Sequence, residues 1–130
     1  MCCPGMLRDM REPVAGTKPM GAYSPGIIAE GRFVYVAGQG PFRDGEFVPG
    51  TIEEETRLTI ENLTTVLGQA GATLSQVVRC GVFLADVGDF AAMNAVYREV
   101  FPTEPPTRAT VGVTALADTY RVEIELIAAR

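Results

Sequence analysis

The sequence predicts an α+β domain, a mixed sheet of five or six strands with two helices on one face. Three observations lead there. Ile60 to Ala70 and Phe90 to Phe101 carry apolar residues at helical spacing. Around them run short segments rich in Val, Ile and Phe, bounded by Gly, Pro and Asp turns. The last segment, Arg121 to Ala129, alternates: Val122, Ile124, Leu126 and Ala128 share one face, and Glu123, Glu125, Ile127 and Ala129 the other. The first face suits the helices. The second mixes carboxylates with apolar side chains, as a subunit interface with a polar cleft would. Two helices cover only one face, so self-association is expected to bury the other.

The elements follow in order. Residues 1–17 have no usable periodicity and read as a loose tail, with a single domain over 18–130. Lys18 to Gly26 is turn chemistry holding one aromatic, Tyr23. Gly26–Ala29 and Arg32–Ala37 are β-rich, and Glu30-Gly31 between them suits a tight hairpin. Gly38-Gln39-Gly40-Pro41 breaks the strand. It lacks the third glycine and the following helix of a dinucleotide fingerprint, and reads as a bulge or a close backbone approach. Asp44-Gly45 is a further turn.

Thr51 and Glu54 form a capping box, and Glu53, Glu54 and Glu55 suit the positive end of the helix dipole as a solvated first turn. Ile60, Leu63, Val66, Leu67 and Ala70 give the buried face, and Gly71 the stop. Val77 to Leu84 is a strand. Phe90, Met93, Tyr97, Val100 and Phe101 form a second amphipathic helix ended by Pro102, its aromatic stripe facing the core. Pro105-Pro106 then delivers Arg108 at the start of a strand through Val113, and a loop over Leu116 to Thr119 precedes the last strand.

Composition narrows the chemistry. A chain of 130 residues, 47% hydrophobic and 21% charged, is an ordinary globular domain with a real core. Its 16 acidic against 11 basic residues disfavour nucleic acid or an anionic membrane as main partner. There is no histidine, hence no Ser-His-Asp triad, His-ligated metal or His general base. Cys2 and Cys3 are adjacent and lack CxxC spacing, while Cys80 sits in an apolar strand as a small hydrophobe. An odd cysteine count with no paired framework suits a reducing compartment. No signal-peptide or transmembrane run is visible, so a soluble cytoplasmic protein is expected, with neither metal nor cofactor.

The ionisable candidates are Arg108, Glu123, Glu125 and Tyr23. Arg108 leaves a rigid turn and carries a planar fork that fits a carboxylate. If strand pairing brings Glu123 opposite, an anion site gains an acid or base. The plain alternatives are a surface arginine or a structural ion pair. Ser24 has no neighbouring base, so the chemistry must be one that held and oriented water can perform.

Several stretches together resemble one family. Gly21-Ala22-Tyr23-Ser24-Pro25-Gly26 resembles the GPYS-type segment of the Rid family (RidA/YjgF, reactive-intermediate deaminases), and Val36-Ala37-Gly38-Gln39 its SGQ strand end. Glu61-Asn62-Leu63, Asp89-Phe90 with Asn94 and Tyr97, Pro106 to Val111, and Val122 to Glu125 follow in the family's order. The resemblance implies a chorismate-mutase-like fold and a homotrimer with clefts between subunits. It implies hydrolysis of 2-imino acids or enamines, such as 2-iminopropanoate and 2-iminobutanoate, to 2-oxo acids and ammonia. It makes Arg108 the carboxylate anchor. Glu123 and a main-chain carbonyl near Thr110 would hold the water, with Tyr23, Ala37, Gly38 and Asn94 lining the pocket. Two departures stand out. Ala37 replaces a common serine, removing a hydroxyl, and Thr110 replaces a cysteine found in some members. The competing readings are a non-catalytic or regulatory carboxylate-binding protein, which Ala37 favours, and a specialised deaminase for a larger imine. Ribonuclease activity, also allowed by the resemblance, sits poorly with the acidic balance and the missing histidine.

Overall fold

The computed structural model describes residues 11–130. Its strands are β1 (Arg11–Val14), β2 (Gly26–Ala29), β3 (Phe33–Gln39), β4 (Phe42–Arg43), β5 (Glu46–Phe47), β6 (Val77–Leu84), β7 (Thr107–Gly112) and β8 (Val122–Ala129). Helix α1 spans Ile52–Gln69 and α2 spans Phe90–Val100. The main sheet has the order β3-β8-β6-β7, antiparallel except for the parallel β6–β7 pair. The β6–α2–β7 crossover makes that parallel pair possible. β1–β2 and β4–β5 are separate two-stranded ribbons.

This is the expected α+β class, with one correction to the sheet: the main sheet has four strands, not five or six. The missing members are accounted for by β2, which pairs with β1 in the register Arg11↔Ala29 to Val14↔Gly26. The Glu30-Gly31 turn, with Gly31 at φ 124, therefore does not close a β2–β3 hairpin. Nor are residues 11–17 of the expected tail wholly loose, while its residues 1–10, with Cys2 and Cys3, lie outside the described residues. Arg11 donates to the Val77 carbonyl (2.7 Å) and the Glu104 carbonyl (2.6 Å), pinning β1 in place. A sequence segment without periodicity conceals such a strand, because a lone arginine and a two-strand ladder leave no pattern.

The helices form for the reasons expected. Thr51 and Glu54 close the capping box at 3.1 and 2.9 Å. At the other end Gly71, at φ 72, lets its own N–H reach the Gly68 carbonyl and that of Ala72 the Leu67 carbonyl, a Schellman stop. One residue of the acidic first turn departs from expectation. Glu55 is buried, accepting from the N–H groups of Arg121 (2.7 Å) and Gly50 (3.3 Å). It is a buried brace between α1 and the start of β8, not a solvated charge.

Both helices lie on one face of the sheet. Leu67, Val77, Val82, Met93, Tyr97, Val122 and Ala128 are fully enclosed between the layers, each large aliphatic contributing roughly 1.5–3 kcal/mol. The opposite face is open. Phe33, Tyr35 and Val111 stand on it, with Tyr35 74% exposed. Among the described residues no helix is long and apolar enough to cross a membrane.

Candidate active site

Arg108 is built in from several sides. Ser24 donates its N–H to the Pro106 carbonyl (3.1 Å) and its hydroxyl to the Pro105 carbonyl, stitching the 20–24 turn to the start of β7. Thr107 anchors the strand through its hydroxyl to the Val78 carbonyl (2.9 Å). The guanidinium then rests among three rings, its carbon 4.7 Å from the Tyr97 centroid, 5.5 Å from Phe90 and 5.6 Å from Tyr23. Such rings hold a cation without occupying its N–H donors. One donor is used: Nη1 donates to Asn94 Oδ1 (2.8 Å), which also accepts the Ala22 N–H (3.2 Å). Burial lowers the Arg108 pKa from its ordinary value, but a guanidinium remains charged at neutral pH. Among the described residues no carboxylate lies within ion-pair distance of it. A half-buried cation with donors to spare and no counter-charge has the chemistry to receive an anion.

Thr110 lies two residues along β7, on the same face as Arg108. Its Oγ1 is buried and finds no hydrogen-bond partner among the described residues. The structure therefore gathers Arg108, Tyr23 and Asn94 at one place, with Thr110 beside them on the strand.

Glu123 belongs elsewhere. Its Oε1 accepts the Tyr120 hydroxyl (2.9 Å). Its Oε2 lies against Gly38 so closely that a Cβ on that residue would stand 2.5 Å away. A β-bulge between Val36 and Gln39 sets Ala37 and Gly38 beside it, so the glycine pair marks both a bulge and a close approach. Exposed Ala37 borders a hollow of about 340 Å³ on the open face, shared with Tyr35, Arg79, Glu125 and Ile127. Arg79 and Glu125 form an exposed pair across it at 3.6 Å.

Arg108 and Glu123 do not share a pocket within one chain. Cys80 on β6 sits opposite both Arg108 and Leu126. Glu123 is three residues before Leu126, and an odd offset turns it to the other face. It is also two strands away, about 10 Å. The sheet thus carries two candidate half-sites: Arg108, Tyr23, Asn94 and Thr110 on the helix side, and Glu123, Gly38 and Ala37 on the open side. Among the described residues there is no cluster of three or more His, Cys, Asp or Glu side chains placed to hold a metal ion.

Four further residues take part. Helical spacing by itself assigns Phe90 and Tyr97 to the core stripe, and the family resemblance sets them beside Asn94. Phe90, Asn94 and Tyr97 recur at i, i+4 and i+7, which puts all three on one side of α2, where Arg108 lies. Tyr120 had no signal, since its bond to Glu123 depends on the preceding loop. Gly21 belongs with them: a Cβ there would stand 2.8 Å from Arg108 Nη2, so the turn must be bare for the guanidinium to lie over it.

The family model described as Endoribonuclease L-PSP matches residues 15–130. The chain is 47% identical over 105 residues to protein mmf2, mitochondrial, of Schizosaccharomyces pombe, covering 78% of this chain and 83% of that protein. It is 38% identical over 125 residues to 2-iminobutanoate/2-iminopropanoate deaminase of Capra hircus, covering 95% and 90%. Among solved structures, Rid-family YyfB of Yersinia pestis superposes with a TM-score of 0.82 at 27% identity, covering 93% and 99%. Escherichia coli TdcF with bound serine does so with a TM-score of 0.71 at 32% identity, covering 93% and 94%. The chain belongs to the L-PSP endoribonuclease family, the RidA/YjgF (Rid) family whose motifs it carries in order.

Proposed function

We propose that this protein hydrolyses small 2-imino acids or their enamine tautomers to 2-oxo acids and ammonia, as a homotrimer whose clefts join the two half-sites. The observation that carries the reading is the uncompensated Arg108 guanidinium, held by rings and Asn94 with donors left for a carboxylate. Two findings support it further: a relative named for this deaminase, and a neighbour described with serine, an amino-acid carboxylate, bound. The open sheet face with Tyr35, Phe33 and Val111 supports the trimer. A second copy laid there is the simplest way for Glu123 of one chain to meet Arg108 of another.

In this mechanism Arg108 binds the carboxylate bidentately and fixes the imine carbon. Glu123 and the Thr110 main-chain carbonyl hold a water against that carbon. As the C–O bond forms, Glu123 takes the water proton and returns it to the imine nitrogen. The carbinolamine then collapses: Glu123 takes its hydroxyl proton and passes it to the amino group, the C=O double bond forms as the C–N bond breaks, and ammonia leaves with the 2-oxo acid. Imines hydrolyse unaided, so positioning and a modest base suffice. A compartment that is soluble and reducing, the cytoplasm being the simplest, belongs to the same proposal; two relatives carry mitochondrial names of their own.

The test is 2-oxo acid formation from imines released by a serine or threonine dehydratase. The wild type should accelerate it and Arg108→Ala should not. Saturable binding of a 2-oxo acid without acceleration would replace this reading with that of a carboxylate-binding protein.

A further inference from the structure

Tyr120 occupies an unusual position for a loop residue. It is buried, with its ring edge-on to Phe42 (centroids 5.3 Å apart, planes at 79°) and tilted against Phe47 at 6.1 Å. Phe42 is itself fixed: Asn62 on α1 donates to the Phe42 carbonyl (2.8 Å) and to that of Gly40 (2.9 Å). On the other side, buried Glu55 grips the Arg121 N–H at 2.7 Å. The backbone entering this clamp is strained. Asp118 (φ 51) and Thr119 (φ 60) are both left-handed, a costly conformation for a β-branched threonine. Strain of this kind persists only where surrounding contacts over-determine it. Here they aim one atom: the Tyr120 hydroxyl donates to Glu123 Oε1 at 2.9 Å.

Glu123 is therefore fixed at Oε1 by the phenol, while Oε2 lies over the bare backbone at Gly38, in space a Cβ there would fill. We propose that Tyr120 is a positioning residue for the reaction, locking the Glu123 carboxylate in one rotamer so that Oε2 alone is presented to the water. This inference rests on Glu123 acting as the base proposed above. The phenol can serve throughout as donor, because burial and then the Glu123 contact push its pKa from 10 up to about 12, with Asp118 adding to the effect. The ring packing against Phe42 and Phe47 needs no hydroxyl, so the fold and the aim of the carboxylate are separable.

Tyr120→Phe keeps the ring and removes the donor. In the coupled imine assay on the full chain, kcat should fall about tenfold with KM within about twofold, since Arg108 still binds the carboxylate. Adding Tyr120→Phe to Glu123→Gln should cause no further loss, because a neutral amide is no longer the base to be aimed. A wild-type kcat for Tyr120→Phe, or an equal further loss in the double variant, overturns the proposal. A second measurement needs no turnover. Ultraviolet titration of the phenols should show the Tyr120 midpoint, about 12 in the wild type, falling in Glu123→Gln while staying above 10 because burial persists. If Glu123→Gln leaves that midpoint in place, the contact is not made and the proposal fails. Wild-type protein without imine hydrolysis but with the titration step would sink the deaminase reading alone, leaving Tyr120 as the group that orients Glu123.

Discussion

Replacing Gly38 with alanine separates the site from the fold. Gly38 is not in the left-handed region, so an alanine backbone fits there. What forbids a side chain is Glu123: the added Cβ would stand 2.5 Å from Oε2, 2.9 Å from Cδ and 3.2 Å from Cγ. Ordinary carbon contacts begin at about 3.5 Å, so the carboxylate must retreat by roughly 1 Å. It is the far end of a flexible side chain on a half-exposed strand face, so it moves without disturbing the core. Stability should change by less than about 1 kcal/mol, with loss of glycine's unfolded-state freedom offsetting part of the crowding. Activity should suffer more. A displacement of about 1 Å at a reacting group lowers the rate on the order of a hundredfold, equivalent to about 2.7 kcal/mol of barrier. The measurements are kcat in the coupled dehydratase assay and urea unfolding of the same preparation. A variant with wild-type kcat would refute the role given to Glu123. One that loses activity only in proportion to lost stability would refute the separation of site and fold.

Gly21→Ala should act on the other half-site. Its Cβ would lie 2.8 Å from Arg108 Nη2 and 3.4 Å from Asn94 Oδ1, so the guanidinium must shift. KM should rise about tenfold with kcat changed less, measured in the same assay, because binding of the carboxylate is what is disturbed. Tyr35→Glu places a charge on the open face and should shift the protein to lower mass by light scattering while activity falls in step; a fully active monomer would defeat the trimer reading. Cys80 gives a pH dependence. Burial raises its thiol from 9 to about 11, so the folded state retains a proton that the unfolded chain releases. The stability this provides is complete below pH 9 and is lost as pH rises towards 11. The decline is up to about 3 kcal/mol, and Cys80→Ala should reduce it in urea titrations at several pH values.

The architecture was legible where periodicity is long or chemistry local. The capping box at Thr51 and Glu54, the Gly71 stop, the α2 stripe and the β8 alternation all hold because each is written in residues a few positions apart. The β1–β2 ribbon was not legible, since it depends on Arg11 finding the Val77 and Glu104 carbonyls, 66 and 93 residues away. Glu55 is not legible for a similar reason: a carboxylate in a first helical turn looks solvated until the Arg121 N–H is known to face it. For the site, residue types pointed to Arg108 and Glu123, but the face each occupies is a matter of register. Counting parity along β8 fixes Glu123 on the face away from the helices. Only the pairing of β7 through Cys80 fixes Arg108 on the near one.

That division of charges makes a decisive experiment possible. If each cleft takes Arg108 from one subunit and Glu123 from its neighbour, two inactive proteins can repair one another. Arg108→Ala supplies an intact Glu123, and Glu123→Gln an intact Arg108. In trimers assembled at random from equal amounts, a cleft draws each half independently. About one quarter then combine an intact Arg108 with an intact Glu123. Co-expressed variants should therefore recover about a quarter of wild-type kcat, although each alone shows almost none. Mixing the two after separate purification should recover less, by the extent to which subunits fail to exchange. If both groups came from one chain, every cleft in the mixture would lack one of them and co-expression would restore nothing. Recovery near a quarter requires an interface that closes on itself, because the sheet of a single chain holds the guanidinium and the carboxylate on opposite sides.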